Sequence, residues 1–240
     1  MAHARLSASS SARWLNCTAS VDQVSKYPNT SSPAAMEGTA AHELGDLCLS
    51  NYNKSPGEYL GKYLKDEPSI MVNAEMILHI QDYVDYVHSF MNPTSILKVE
   101  ARVSYSDYAH NGFGTSDVVL INDDTCHIID LKYGRGISVD ADNNTQLMLY
   151  ALGVYQEFYF KYDFKHFELH IFQPRTKNIT QWSISLDDLL IFGEKVKKAS
   201  YDILNDNTTY APSDKACQWC NHKGNCNALQ KHTEKIIGSE

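Results

Sequence analysis

Apolar positions recur at two different periods along this chain. Ile77, Ile80, Val84, Val87 and Met91 are three or four residues apart, the spacing of one helix face, and Asn92-Pro93 stops the run. From Leu97 to Tyr105 the period drops to two. Leu97, Val99, Ala101, Val103 and Tyr105 alternate with Lys98, Glu100, Arg102 and Ser104, which predicts a strand with one buried face. Turn residues at Asn111–Gly114 and Asn122–Asp124 separate this strand from two more, Thr115–Ile121 and Cys126–Tyr133, giving an antiparallel meander. A loop over 134–143 precedes a helix over about 143–160, with Leu147, Ala151, Val154 and Phe158 on one side. Strands follow at His166–Gln173 and Ile179–Ser185. Ser185 with Asp188 then resembles a capping box opening a last long helix to about Leu204. Before the meander, the pattern gives a short helix around Ser10–Asn16, a better one from near Thr39 through His42, Leu44, Leu47 and Cys48, and a polar loop over 51–69. The predicted fold class is α/β (α+β): a mixed central sheet flanked by helices.

Length and composition narrow the class. The 240 residues are 43% apolar, enough for one well-cored domain. Charged residues make up 21%, with 12 Gly and 7 Pro, which excludes disordered and low-complexity classes for most of the chain. No apolar run reaches the roughly 18 residues of a spanning helix, and the first residues do not read as a secretory signal, so no membrane partner and a cytoplasmic location are expected. A net charge of −8 argues against coating duplex DNA, but leaves room for a local basic groove or an acidic pocket neutralised by metal ions. There is no Gly-x-x-x-x-Gly-Lys-Ser/Thr loop, so no nucleoside triphosphate is expected as a partner.

Candidate chemistry gathers on three segments: Gly38–His42, Gly114–Asp117 and Asp130-Leu131-Lys132. Asp130 and Lys132, two apart on a strand, leave the same face. Asp117, on the neighbouring strand, can lie beside Asp130. Adjacent carboxylates repel unless protonated or bridged by a cation. A hard divalent ion such as Mg²⁺ or Mn²⁺ takes oxygen ligands, and Mn²⁺ also accepts an imidazole. Taken singly, Asp-x-Lys on a strand is more often a solvated face, and a lone helical His more often structural. The combination, in this order between these turns, is what points to a site.

These residues resemble a family. Gly-x-x-Asp117, Asp130-x-Lys132 and Gln146-x-x-x-Tyr150 on the following helix look like the PD-(D/E)XK nuclease superfamily. The helical His42 and the Gln-x-x-x-Tyr motif narrow the resemblance to its RecB-like exonuclease branch. The resemblance implies His42, Asp117, Asp130 and the backbone carbonyl of Leu131 as ligands of Mg²⁺ or Mn²⁺. It implies Lys132 as the catalytic lysine, and Gln146 and Tyr150 as substrate contacts. Glu100, on the polar side of its strand, is a candidate further carboxylate of the catalytic site.

Six cysteines occur, three of them within ten residues near the C-terminus, and without an export signal these read as a metal site. Cys217-x2-Cys220-x5-Cys226 with Cys17 far upstream is similar to the iron–sulfur staple of AddB-type nucleases and of CRISPR-associated exonucleases. That resemblance implies a [4Fe–4S] cluster on Cys17, Cys217, Cys220 and Cys226. The alternative is structural zinc on four Cys, or on three Cys with His222. Cys48 and Cys126 read as buried thiols. The organisation expected is a single nuclease domain over 1–240, with 1–37 and 205–240 forming the cluster subregion around a 38–204 catalytic core.

The function implied is a metal-dependent DNA exonuclease, acting on single strands or ends in recombination, repair or phage DNA processing. A structure-specific endonuclease on the same core and a catalytically silent nucleic-acid-binding adaptor are the alternatives. A recombination protein or a second copy of the chain stays open as partner. Tyrosines at 52–63, 83–108 and 150–162 suit base stacking or the core, and Lys26, Lys54, Lys62, Lys65, Arg135, Arg175 and Lys177 sit where phosphate contacts can form.

Overall fold

A computed structural model describes residues 4–28 and 32–238. Residues 1–3, 29–31 and 239–240, which include the outer ends of the two segments assigned to the cluster subregion, lie outside the described residues. The fold is a mixed α/β arrangement around one five-stranded sheet, β1 Ile96–Ser104, β2 Phe113–Asn122, β3 Thr125–Leu131, β4 His166–Gln173 and β5 Asn178–Ser185, in sequential order. β1–β2, β2–β3 and β4–β5 pair antiparallel, and β3–β4 pair parallel. A parallel pair needs a crossover, and the helix between β3 and β4 supplies it.

Eight helices surround the sheet among the described residues: α1 Ser11–Trp14, α2 Ser20–Val24, α3 Pro33–Leu49, α4 Ala74–Ser89, α5 Thr145–Phe158, α6 Leu186–Leu204, α7 Asp214–Cys217 and α8 Asn227–Ile237. One core lies between the sheet and α3 and α4, built from Leu44, Cys48, Ile80, Val84, Val118, Leu120, Ile129 and Leu131. The other lies under α5, α6 and the N-terminal segment, built from Trp14, Val103, Tyr105, Val119, Ile128, Leu149, Val154 and Val196. Cys48 and Cys126 are buried, as expected of core thiols. No helix among the described residues is long and apolar enough to cross a membrane.

Several elements differ from the sequence reading for identifiable reasons. α3 begins at Pro33, well before Thr39, because Ser32 accepts a hydrogen bond from the Ala35 amide while Pro33 fills the first helical position. The 51–69 segment holds a short 3-10 turn, Pro56–Tyr59, and Tyr63 bridges to Met71. The alternation in β1 does not keep one face inward. Leu97 and Val99 pack with the α3/α4 core, whereas Ala101 and Val103 pack with the α5 core. The switch occurs at Glu100, whose φ of 47° is left-handed, and the β1–β2 ladder skips the Glu100–Asp117 pair. Both strands turn over there, so the polar side chains at the turnover leave the regular pleat.

Candidate metal site

That turnover builds the site. Asp117 leaves β2 toward α3, where His42 Nδ1 lies 3.2 Å from Asp117 Oδ1. The other oxygen, Oδ2, accepts a hydrogen bond of 2.7 Å from the Leu131 amide, which fixes the carboxylate against the end of β3. Glu100 faces the same small cavity, with Asp46, Leu49, Tyr83 and Leu131 completing its walls. Among the described residues, His42, Glu100 and Asp117 are the one group of three whose ligand atoms all lie within 4.8 Å of one another.

Asp130 stands on the α5 side of β3. Its Oδ1 accepts 2.9 Å from Gln146 Nε2, and its Oδ2 lies 2.9 Å from the Lys132 ammonium. Lys132 also donates 3.1 Å to Gln146 Oε1, and Gln146 Nε2 reaches the Tyr150 hydroxyl at 3.2 Å. Lys132 is held at its backbone too, its amide donating 2.9 Å to the Phe172 carbonyl on β4. Asn144 caps α5 by accepting from the Gln146 and Leu147 amides, which sets the helix phase that points Gln146 at Asp130.

Burial and mutual charge set the protonation states. Burial disfavours a charged His42, but Asp117 beside it outweighs this and raises its pKa to about 9. Asp117 is correspondingly lowered: burial opposes the charge, and His42 more than offsets it. Burial raises Asp130 above the ordinary carboxylate range despite Lys132. Burial would lower Lys132, but Asp130 and Asp117 raise it, so it stays an ammonium at neutral pH. Burial and the nearby Asp117 push Glu100 up to about 7. One polar atom at the site remains unsatisfied: the Tyr83 hydroxyl is buried with no hydrogen-bond partner, whereas Asp130 Oδ2 is paired with Lys132. A buried polar atom left unpaired costs about 1–3 kcal/mol, so such atoms mark where a ligand fits.

The structure thus brings together His42, Glu100, Asp117, Asp130, Lys132 and Gln146, with one difference from the sequence reading. Glu100, and not Asp130, completes the tight group with His42 and Asp117, because Lys132 and Gln146 already hold Asp130. Tyr150 is 5% exposed and meets Gln146, which is half-buried and bonded to Asp130 and Lys132, so the Gln-x-x-x-Tyr pair borders the carboxylates. Sequence reasoning placed Tyr83 only among the tyrosines of base stacking or the core and not at the metal group, since its helical spacing with Ile80 and Val87 marks a core face.

Among the described residues, the four cysteines named for a cluster do not form a close ligand group. All are free thiols. Burial raises the Cys217 thiol, and Cys220, Cys17 and Cys226 add to the effect. Arg13, lowered by burial, feels Cys220 and Cys17. The N- and C-terminal segments are tied by Thr209 N to Thr18 Oγ1 at 2.7 Å and by Tyr27, whose hydroxyl meets His222 Nδ1 at 3.0 Å and accepts 2.9 Å from Asn225 Nδ2. No three of the four sulfurs lie within 4.8 Å of one another. A tetrahedral zinc with bonds of about 2.3 Å would need them near 3.8 Å apart.

Among solved structures, one described as "Crystal structure of SSO0001" is similar at 13% identity over 88% of this chain and 95% of that chain, with a TM-score of 0.33. A family profile described as "Protein of unknown function (DUF2800)" matches residues 3–240. The match runs through every strand and every site residue named above, and the chain belongs to the DUF2800 family.

Proposed function

We propose that this protein is a Mg²⁺- or Mn²⁺-dependent deoxyribonuclease with a PD-(D/E)XK-type, RecB-like core, acting as an exonuclease on single strands or DNA ends. The observation that carries the reading is the convergence of Asp117, Asp130 and Lys132 at the turnover of β1 and β2, with His42 and Glu100 facing them. The donor set of carboxylates and one imidazole suits a hard divalent ion, and the unsatisfied Tyr83 hydroxyl in the same cavity wall leaves a polar atom for its water. His42, Asp117, Glu100 and Asp130 would hold the ion, with the Leu131 carbonyl as the further ligand the resemblance implies. When bound, such an ion supplies Lewis-acid polarisation of a phosphate and a water nucleophile.

The chain's own residues supply the rest. Lys132, whose ammonium is favoured by Asp130 and Asp117, would stabilise negative charge on the transferring phosphate. Gln146 fixes the Asp130–Lys132 geometry from one side and the Phe172 carbonyl from the other. Cys17, Cys217, Cys220 and Cys226 would hold an iron–sulfur cluster. What supports the cluster over zinc is the cysteine spacing and its likeness to the iron–sulfur staple.

The test separates ligand from electrostatic group. Asp130→Ala should weaken Mn²⁺ binding and abolish cleavage. Lys132→Ala should leave Mn²⁺ and DNA binding in place while single-turnover cleavage falls at least about 10²-fold. Wild-type cleavage by the Lys132→Ala protein would refute the function.

A further inference from the structure

Beyond the catalytic residues, a second group of charges borders the site, and no sequence motif accounts for it. Arg175 lies in the 3-10 turn Pro174–Thr176 that ends β4. Its guanidinium stacks over the Tyr133 ring, 4.9 Å from the centroid, and Tyr133 follows Lys132 directly. Nη1 is paired with Glu37 on α3. Nε is buried without a hydrogen-bond partner, 4.0 Å from Glu75 at the start of α4. Arg135, in the loop after Lys132, donates to both oxygens of Glu75, at 2.6 and 2.8 Å. The Arg175 side chain is 9% exposed, yet its donors are incompletely used. A guanidinium offers five donors in a fixed fork suited to phosphate.

Glu37 precedes His42 by five residues on the same helix, an axial offset of about 7.5 Å. Those five residues also turn the helix by about 140°, so it is Tyr133 that places Arg175: its ring packs with Leu131 in the α3/α4 core, which puts the guanidinium on the α3 side of the sheet end, the side that carries His42. A strand whose scissile phosphate reached Lys132 would carry a neighbouring phosphate past this position. Resting on the nuclease reading, we propose that Arg175, with Arg135 beside it, is the seat for a second phosphate of the bound DNA strand, and that Glu37 and Glu75 hold the seat until phosphate replaces them. Tyr133 keeps the guanidinium plane in place from below, so the group is preorganised and loses little freedom on binding.

The signs of two substitutions separate this from a purely structural ion pair. In the Lys132→Ala background, which binds without cleaving, anisotropy with a short single-stranded oligonucleotide gives affinity over a salt series. Arg175→Ala should weaken binding about tenfold for every sequence and reduce the slope of log affinity against log salt by about 0.7, the share of one single-strand phosphate. Glu37→Gln breaks the same ion pair but removes the competitor, so it should tighten binding severalfold. A structural role predicts that both variants weaken binding alike with an unchanged slope, and that result overturns the proposal. Strands with and without a 5′-phosphate tell which phosphate is seated: a loss confined to phosphorylated strands places a terminal phosphate there, and a loss on both places an internal one. If the Lys132→Ala protein binds no strand at all, the nuclease reading itself fails. If it binds but is indifferent to Arg175 and Glu37, only the seat fails.

Discussion

A raised imidazole pKa makes a specific demand on metal binding. His42 titrates at about 9 in the metal-free protein, so at pH 7 it is an imidazolium and cannot ligate. An ion must expel that proton. Across pH 7 to 9 the apparent Mn²⁺ affinity should therefore rise tenfold per pH unit, up to about a hundredfold, or about 2.7 kcal/mol. The side chain is 32% exposed, so solvent screening makes this an upper bound. Glu100, held near 7, adds a second proton below that pH, where the dependence steepens toward two. Calorimetry in buffers of different ionisation enthalpy reads the released proton directly. His42→Asn keeps a donor for Asp117 but does not titrate, so it should flatten the profile between pH 7 and 9. Equal proton release at pH 7.5 from wild type and His42→Asn would refute the reasoning.

The same shifts fix the sign of stability against pH in the metal-free protein. Both folded pKa values are raised: His42 above 6.5, Glu100 above 4.5. Each group's contribution is fully present below its unfolded value and is lost as pH rises through its folded value. Metal-free protein should therefore lose stability from about pH 5 to 9, and saturating Mn²⁺ should reverse the trend.

Two further outcomes follow from the hydrogen-bond network and the thiols. Gln146→Ala strips Asp130 and Lys132 of their shared partner, so single-turnover cleavage should fall about 10–100-fold and stability by about 1–3 kcal/mol, with Mn²⁺ affinity little changed; unaltered cleavage in a stopped-flow assay would return Gln146 to an ordinary helix position. Protein purified without oxygen should be brown, with iron and acid-labile sulfide in equal amounts, and Cys217→Ser should lose both; a colourless protein carrying one zinc would overturn the cluster assignment.

The parts of this molecule that were legible in its sequence are those written locally. β4 was bounded at His166–Gln173, where Phe167, Leu169 and Ile171 alternate and Pro174 follows, and β5 missed by a single residue. Asp130 and Lys132 were paired correctly because period two dictates it. Long-range pairings were not legible. His127 Nδ1 meets His170 Nε2 at 3.1 Å inside the sheet, and His170 Nδ1 meets the Tyr86 hydroxyl at 2.9 Å, a relay joining residues from three elements. Arg175 and Glu37 are 138 residues apart. α8 was missed although its pattern is amphipathic, and none of its residues is buried.

Glu100 shows why a perfect pattern can still mislead. Its strand alternates without a flaw, and nothing in Leu97–Tyr105 announces that the inward face changes. A non-glycine residue in left-handed backbone stores about 1–3 kcal/mol, and local preference alone would never select it. The compensation comes from both sides of the sheet. Val99 with Val118 enters the α3/α4 core, and Val103, opposite Gly114, enters the α5 core. Gly114 is needed because a side chain there would meet the Tyr150 ring at 2.7 Å. The two cores thus hold the strands on opposite faces, and the backbone between them must turn over. Glu100 and Asp117 sit at the turn, freed from the ladder and directed toward His42. A pleat continued from Leu97 and Val99 would turn Glu100 and Asp117 to the α5 face, out of reach of an imidazole on α3; one continued back from Ala101 and Val103 would face Glu100 to α3 but take Leu97 and Val99 out of the α3/α4 core. The turnover at Glu100 therefore lets one strand fill both cores and still present its carboxylate to His42.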